Sequence, residues 1–253
     1  MKSVCFVLAG AALIAACDGP TAPRSVQSSG DDSRLPASVR ATYDDDASCL
    51  AVRDVVAKGA PEVPIPPAAI QPYYDALVSV YNASALPWRD TVVDVYQIHT
   101  FCSPALHRVT LGLAASEAWA QRLARREIPT GDASVDTLIA RYALSVGYVS
   151  TLSNGDVLVT LVSTEPLNTT ALSQLFVAIA GVRFAEPGGT IGDGNNIAGS
   201  IEDARVLLDY SVGYGDCPAG CTARRFYHFA VHDDGTVEYL GASGSPPPQP
   251  RSP

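Results

Sequence analysis

Residues 157–187 read VLVTLVSTEPLNTTALSQLFVAIAGVRFAEP, and the fold is decided by how this stretch is parsed. Its first six residues are an apolar, β-branched run of strand length. Asn168 then stands where a side-chain oxygen can cap a helix, with Leu172, Leu175, Phe176 and Ile179 on one face. Gly181 can end that helix, because a left-handed residue is needed there and glycine adopts it without a Cβ clash. Val182 to Glu186 is a second strand, stopped by Pro187-Gly188-Gly189. The stretch is therefore β-α-β.

Working back from it, residues 145–152 read as another strand. It is joined to 156–164 by Asn154-Gly155, a hairpin signal because both residues tolerate positive φ. Upstream, Asp132 can cap a helix carrying Val135, Leu138, Ile139 and Tyr142, and Ser116 can cap one carrying Trp119 and Leu123. Before these, Val109, Leu111 and Leu113 alternate with Thr110, Gly112 and Ala114, the two-residue period of a half-buried strand. The order from Leu106 to Glu186 is then β-α-β-β-α-β with the first helix broken in two. That is the ferredoxin-like arrangement, an antiparallel sheet with its helices on one face, predicted for a domain at 106–190. Residues 157–187 resemble the closing β-α-β of subtilisin-type propeptides, which often end on a similar V-x-x-x-E-P turn. This resemblance implies an inhibitor or folding chaperone of a protease. The chain departs from that family in its longer, interrupted first helix and in the strand-rich unit that follows in place of a protease.

That unit, 200–241, carries two alternating runs, Val206–Val212 and Tyr227–Val231. A third strand, Thr236–Leu240, is entered through Asp234-Gly235. It reads as a three-stranded antiparallel meander, giving an α+β chain. Its first connection, GDCPAGC at 215–221, resembles a phrase of uncharacterised secreted bacterial proteins, a likeness that implies no activity. On the other side, 49–105 should hold an amphipathic helix over 67–82 (Ile70, Tyr73, Tyr74, Leu77, Val80, Tyr81) and a buried strand over Thr91–Ile98, both packing on the body. The helix-free sheet face is expected to be partly covered by the 67–82 helix or by the meander.

The N-terminus, MKSVCFVLAGAALIAAC, has one early cation, Lys2, and an apolar run shorter than the roughly 20 residues of a bilayer span. Ile14-Ala15-Ala16-Cys17 resembles the lipobox of bacterial lipoproteins. The resemblance implies that 1–16 is a signal peptide, that Cys17 bears lipid, and that the membrane partner is reached through acyl chains at the cell envelope, inner or outer membrane undetermined. Residues 17–48 and 242–253, poor in large apolar side chains, are expected to be a disordered tether and a disordered tail. Within the tether Asp44-Asp45-Asp46 reads as a solvated charge run.

Losing Lys2 with the leader takes the formal charge from −9 to −10. So acidic a body has nothing to offer a polyphosphate, so nucleic acid is excluded as a partner. With Cys5 removed and Cys17 acylated, four cysteines remain, and three pairings are open. Cys217–Cys221, which closes a tight local loop, and Cys49–Cys102 are the favoured pairs. The spacing Cys217-x-x-x-Cys221 between strands does not fit a thioredoxin-type redox pair. His228 and His232, on one strand, would stand about 13 Å apart at ~3.3 Å per residue, too far for one zinc ion. His99 and His107 could approach one another but lack a motif. Asp193-Gly194-Asn195-Asn196 lacks the rest of a calcium loop, and Gly192-x-Gly194 lacks the setting of a dinucleotide site. No G-x-S-x-G, H-E-x-x-H or P-loop is present, so no catalytic, metal or cofactor-binding residue is assigned. The expectation is a non-enzymatic envelope lipoprotein that binds a protein partner. The alternatives are a propeptide-like inhibitor or chaperone, and a hydrolase or metal enzyme assembled from distant residues. A pocket with converging histidines and carboxylates would favour an enzyme; an open sheet face or strand edge would favour partner binding.

Overall fold

The computed structural model describes residues 24–189 and 192–246; the leader, Cys17 and the end of the predicted C-terminal tail lie outside them. It is a mixed α/β chain with two antiparallel sheets. The elements run β1 (Ser25–Gln27), α1 (Ala37–Ala57), α2 (Pro67–Asn82), α3 (Pro87–Asp90), β2 (Arg108–Leu113), α4 (Ala118–Ala124), α5 (Ala133–Arg141), β3 (Ser145–Thr151), β4 (Val157–Val162), α6 (Thr169–Val177), β5 (Val182–Pro187), β6 (Asn196–Glu202), β7 (Arg205–Tyr214), β8 (Ala223–His232) and β9 (Thr236–Gly244).

The first sheet has the order β3-β4-β2-β5, with every neighbouring pair antiparallel. The local signals that specify it act as their chemistry predicts. Asp132 accepts from the Ser134 and Val135 amides at 2.9 and 3.0 Å to cap α5, and Asn168 accepts from the Ala171 amide at 3.1 Å to cap α6. Between β3 and β4 only Gly155 has positive φ (87°). Its amide donates to Leu152 O, and the Leu152 amide donates to Asp156 O, so the loop is longer than a two-residue turn. Ser116 does not cap α4: Glu117 occupies that position, and no side-chain oxygen serves it. Val109, Leu111, Leu113, Val159, Leu161 and Phe176 are buried beneath the helices as one core.

The second sheet has the order β1-β9-β8-β7-β6, five strands where a three-stranded meander was predicted. β6 escapes the pattern because, apart from Ile197, its residues are not buried. Its Gly199 lies where a Cβ would come 3.1 Å from the Tyr73 ring and 3.3 Å from Leu208, so the missing side chain makes room for α2. β1 and the first half of α1 fall inside the stretch predicted to be a disordered tether, and residues 242–244 of the predicted tail are part of β9. Helix α1 hides from a search for large apolar side chains because small and polar residues, among them Asp46, Ala47, Ser48 and Ala51, fill much of its buried side. The helix predicted over 67–82 forms, but it packs chiefly on α1, β7 and β8 rather than on the first sheet. Tyr73, Leu77, Leu50, Tyr210 and Phe229 belong to this second core.

The predicted strand Thr91–Ile98 is a helical turn instead. Residues Thr91–Val95 continue α3 as a π-helix, with the Tyr96 amide donating to Thr91 O at 3.0 Å. Arg89 ties the turn together, donating to Tyr81 O and pairing with Asp90 and Asp94. These bonds outweigh the β-propensity of the run. They leave Val95 71% exposed while Val92 is fully buried, unlike a buried strand.

Candidate functional site

Three surfaces bring chemistry-bearing side chains together. The first is a cavity of about 490 Å³ where α1 meets the β2 and β4 ends of the first sheet, lined by Asp45, Asp46, His99, Cys102, His107 and Arg108 among others. The run Asp44–Asp46, predicted as solvated, is helical here, and its three members differ sharply. Asp46 is buried and accepts from the Thr100 amide at 2.7 Å and the Thr100 hydroxyl at 2.6 Å, while His99 Nδ1 approaches its other oxygen at 2.7 Å. A carboxylate only accepts, so it places the proton on Nδ1 and leaves Nε2 for the cavity. The hydrogen bond to Asp46, opposed by burial and aided by the Asp46 charge, raises the His99 pKa above the usual imidazole value. Asp45 stays exposed and faces His107 Nε2 at 3.4 Å. Asp44 is raised by burial and by its neighbours Asp45 and Asp32. Among the described residues no three His, Cys, Asp or Glu side chains are arranged to hold a metal ion.

The second surface is the outer face of the five-stranded sheet. His228 on β8 stands directly opposite Asp209 on β7, with Nδ1 2.6 Å from Asp209 Oδ1 and Nε2 2.8 Å from Ser243 Oγ on β9. His232 turns to a different carboxylate, Glu238, at 3.5 Å, so the two histidines have separate partners. The loop before β6 holds no vacant carboxylate cage. Asp193 pairs with Arg224 at 2.5 Å and accepts from the Gly194 and Cys221 amides, while the side-chain oxygens of Asn195 and Asn196 accept from the Gly213 and Phe101 amides. The Arg224 bond and these amides hold the Asp193 carboxyl below its ordinary range.

The third surface is the helix-free face of the four-stranded sheet. One row across it is Tyr148, Thr160, Thr110 and Glu186; the next is Ser150, Leu158, Gly112 and Phe184. Thr110 and Thr160 are bonded through their hydroxyls at 3.1 Å. Tyr148 is 58% exposed. The Phe184 ring covers Gly112 so closely that any Cβ there would collide with it. Alternation had marked Thr110 and Gly112 as facing away from the core. The histidine–aspartate pairs had no such signal, because each depends on a register or a helix contact between residues far apart in sequence.

Both disulfides form as paired from the sequence: Cys49–Cys102 joins α1 to the segment before β2, and Cys217–Cys221 closes the loop between β7 and β8. Cys17 lies outside the described residues. No described helix is long and apolar enough to cross a membrane. Compared with known proteins, the chain matches no family model, no curated protein and no solved structure.

Proposed function

We propose that this chain is a bacterial envelope lipoprotein, anchored through Cys17, whose body is a binding module for a protein partner. The observation that carries this reading is the helix-free face of the four-stranded sheet, which presents Tyr148 on one edge strand, Leu158 on the next strand and Phe184 on the opposite edge strand, away from the core that the described helices cover. Sheets normally bury one face and solvate the other with polar residues; an aromatic and two apolar side chains on the solvent face suit a contact surface. The two disulfides are in keeping with an oxidising compartment, and the Ile14–Cys17 lipobox supplies the anchor. We read the order β3-β4-β2-β5, with α4 and α5 as one broken crossing helix and α6 as the other, as ferredoxin-like. The same order favours a second reading, an inhibitor or chaperone of propeptide type.

The test is a pull-down from native envelopes with the anchored protein, run beside Tyr148→Arg and labelled with a fatty-acid analogue. A partner retained by the parent chain and lost from Tyr148→Arg supports the module, and an identical partner set on both removes it. Label retained on Cys17→Ala removes the anchor. Tight inhibition of a subtilisin-type protease by the purified body would select the second reading.

A further inference from the structure

Ser243 owes its position to one extra residue. In the pairing of β8 with β9, Phe229 faces Tyr239 while His228 faces Gly241, so Leu240 is a bulge on β9. Without it, simple alternation would set Ala242 opposite Phe226 and turn Ser243 toward the α1–α2 side. Because strand side chains alternate with a period of two, a single inserted residue transfers every later side chain to the other face. The bulge therefore delivers Ser243 to the face that carries Asp209 and His228. Bulges recur next to active sites for this reason.

The resulting geometry is a relay. Asp209 accepts only, so its 2.6 Å contact fixes the proton on His228 Nδ1, and the lone pair on Nε2 then faces the Ser243 hydroxyl at 2.8 Å. The three side chains come from three adjacent strands, so backbone pairing holds them rather than a mobile loop. Ser243 lies between Ala242 and Gly244, and Gly241, which faces His228 across the β8–β9 pair, would meet nothing within 4 Å with a Cβ added, so the strand is open beside the imidazole.

We propose that Ser243 is a nucleophile activated by His228 as general base, with Asp209 as the positioning residue, and that this face acts on carboxylic esters. This activity is separate from the partner surface proposed above and does not depend on it. In the step, Ser243 Oγ bonds to the ester carbonyl carbon while its proton passes to His228 Nε2. The C–O bond to the alcohol breaks, and the imidazolium returns that proton to the departing alkoxide. Water then repeats the sequence on the acyl-serine, releasing the acid and restoring the hydroxyl. Esters are the fitting class because an alkoxide leaves with less prior protonation than an amine requires, and a single histidine supplies the only proton transfer in this relay.

The test uses the purified full-length protein and a fluorophosphonate probe, with the adduct located by peptide mass mapping. Attack by Ser243 expels fluoride, and His228 takes the proton. The adduct is expected on Ser243, with labelling roughly 10²-fold slower in His228→Gln, the scale of general-base assistance. Asp209→Asn should slow it, and Asp209→Glu should restore part of the rate, which a merely structural pair would not do. p-Nitrophenyl acetate turnover should fall in parallel. An adduct on another serine, or equal rates for the parent chain and His228→Gln, would overturn the proposal. Mapping the adduct on the unaltered chain keeps the result independent of how any variant folds.

Discussion

The four-stranded sheet is covered by α4, α5 and α6, which all arise between its own strands, so that half is nearly all one stretch of chain, with Val63 from upstream added to its core. The five-stranded sheet is covered by α1 and α2, and its outer strand β1 sets Ser25 opposite Glu238. Its parts come from before and after the other half. One half is thus closed by local contacts and the other by joining distant ends, and each has its own apolar cluster. Non-local pairing carries the larger loop-closure cost. The second half correspondingly holds the disulfide that spans 53 residues. Two cores in one chain can be loosened separately.

The largest effect should come from emptying one core at a time. Phe176→Ala and Phe229→Ala each remove a fully buried ring. Each should cost roughly 3–5 kcal/mol. Hydrogen exchange should show the loss in β2–β5 for the first and in β6–β9 for the second. Equal loss in both sheets from either variant would make the two halves a single cooperative unit.

Next come the disulfides. Replacing both Cys49 and Cys102 by Ala should lower stability by about 4 kcal/mol through loop entropy, against about 2 kcal/mol for Cys217 and Cys221, which close a far shorter loop. Urea midpoints of the two double variants give the order. A reversed order would show that the distant ends do not depend on the crosslink.

The smallest effect sharpens the seam between the halves. His99 has its folded pKa raised above the unfolded value near 6.5 by Asp46. The protonated form is therefore favoured by folding. Its contribution is fully present below about pH 6.5 and is lost as pH rises through the folded pKa. The ring is 45% exposed, so solvent reduces the gain. The parent chain should lose a few degrees or less of thermal stability between pH 6 and pH 8, and His99→Gln should not show this component. An identical pH profile for both would remove the clasp.

The four-stranded half was legible because its signals are local: the caps Asp132 and Asn168, the glycines 155 and 181, and the alternation in β2 and β4. The other half was legible only where large side chains alternate, in β7, β8 and the start of β9. β1 has three residues, β6 buries chiefly Ile197, and α1 packs through small and polar side chains, so none carries much apolar signal. Composition gave the tether its look of disorder, yet Tyr43 and Leu50 within and just beyond it are buried. The Thr91–Val95 run shows the reverse failure, a strand composition overridden by the bonds of Arg89. The Asp209–His228–Ser243 relay depends on β7–β8 register and on the bulge at Leu240, neither of which alternation can specify.

The short β1 strand would also set the length of a leash, were Cys17 acylated as proposed. The Arg24 carbonyl already accepts from the Tyr239 amide, so pairing with β9 begins at the first described residue. Only seven peptide steps separate it from Cys17, a maximum of about 25 Å at full extension. With acyl chains on Cys17, the β1 edge of the five-stranded sheet would hover within one small protein's width of the headgroups. A tether running to residue 48 would have let the body drift several times farther. The short one would confine it to whatever lies at the bilayer surface.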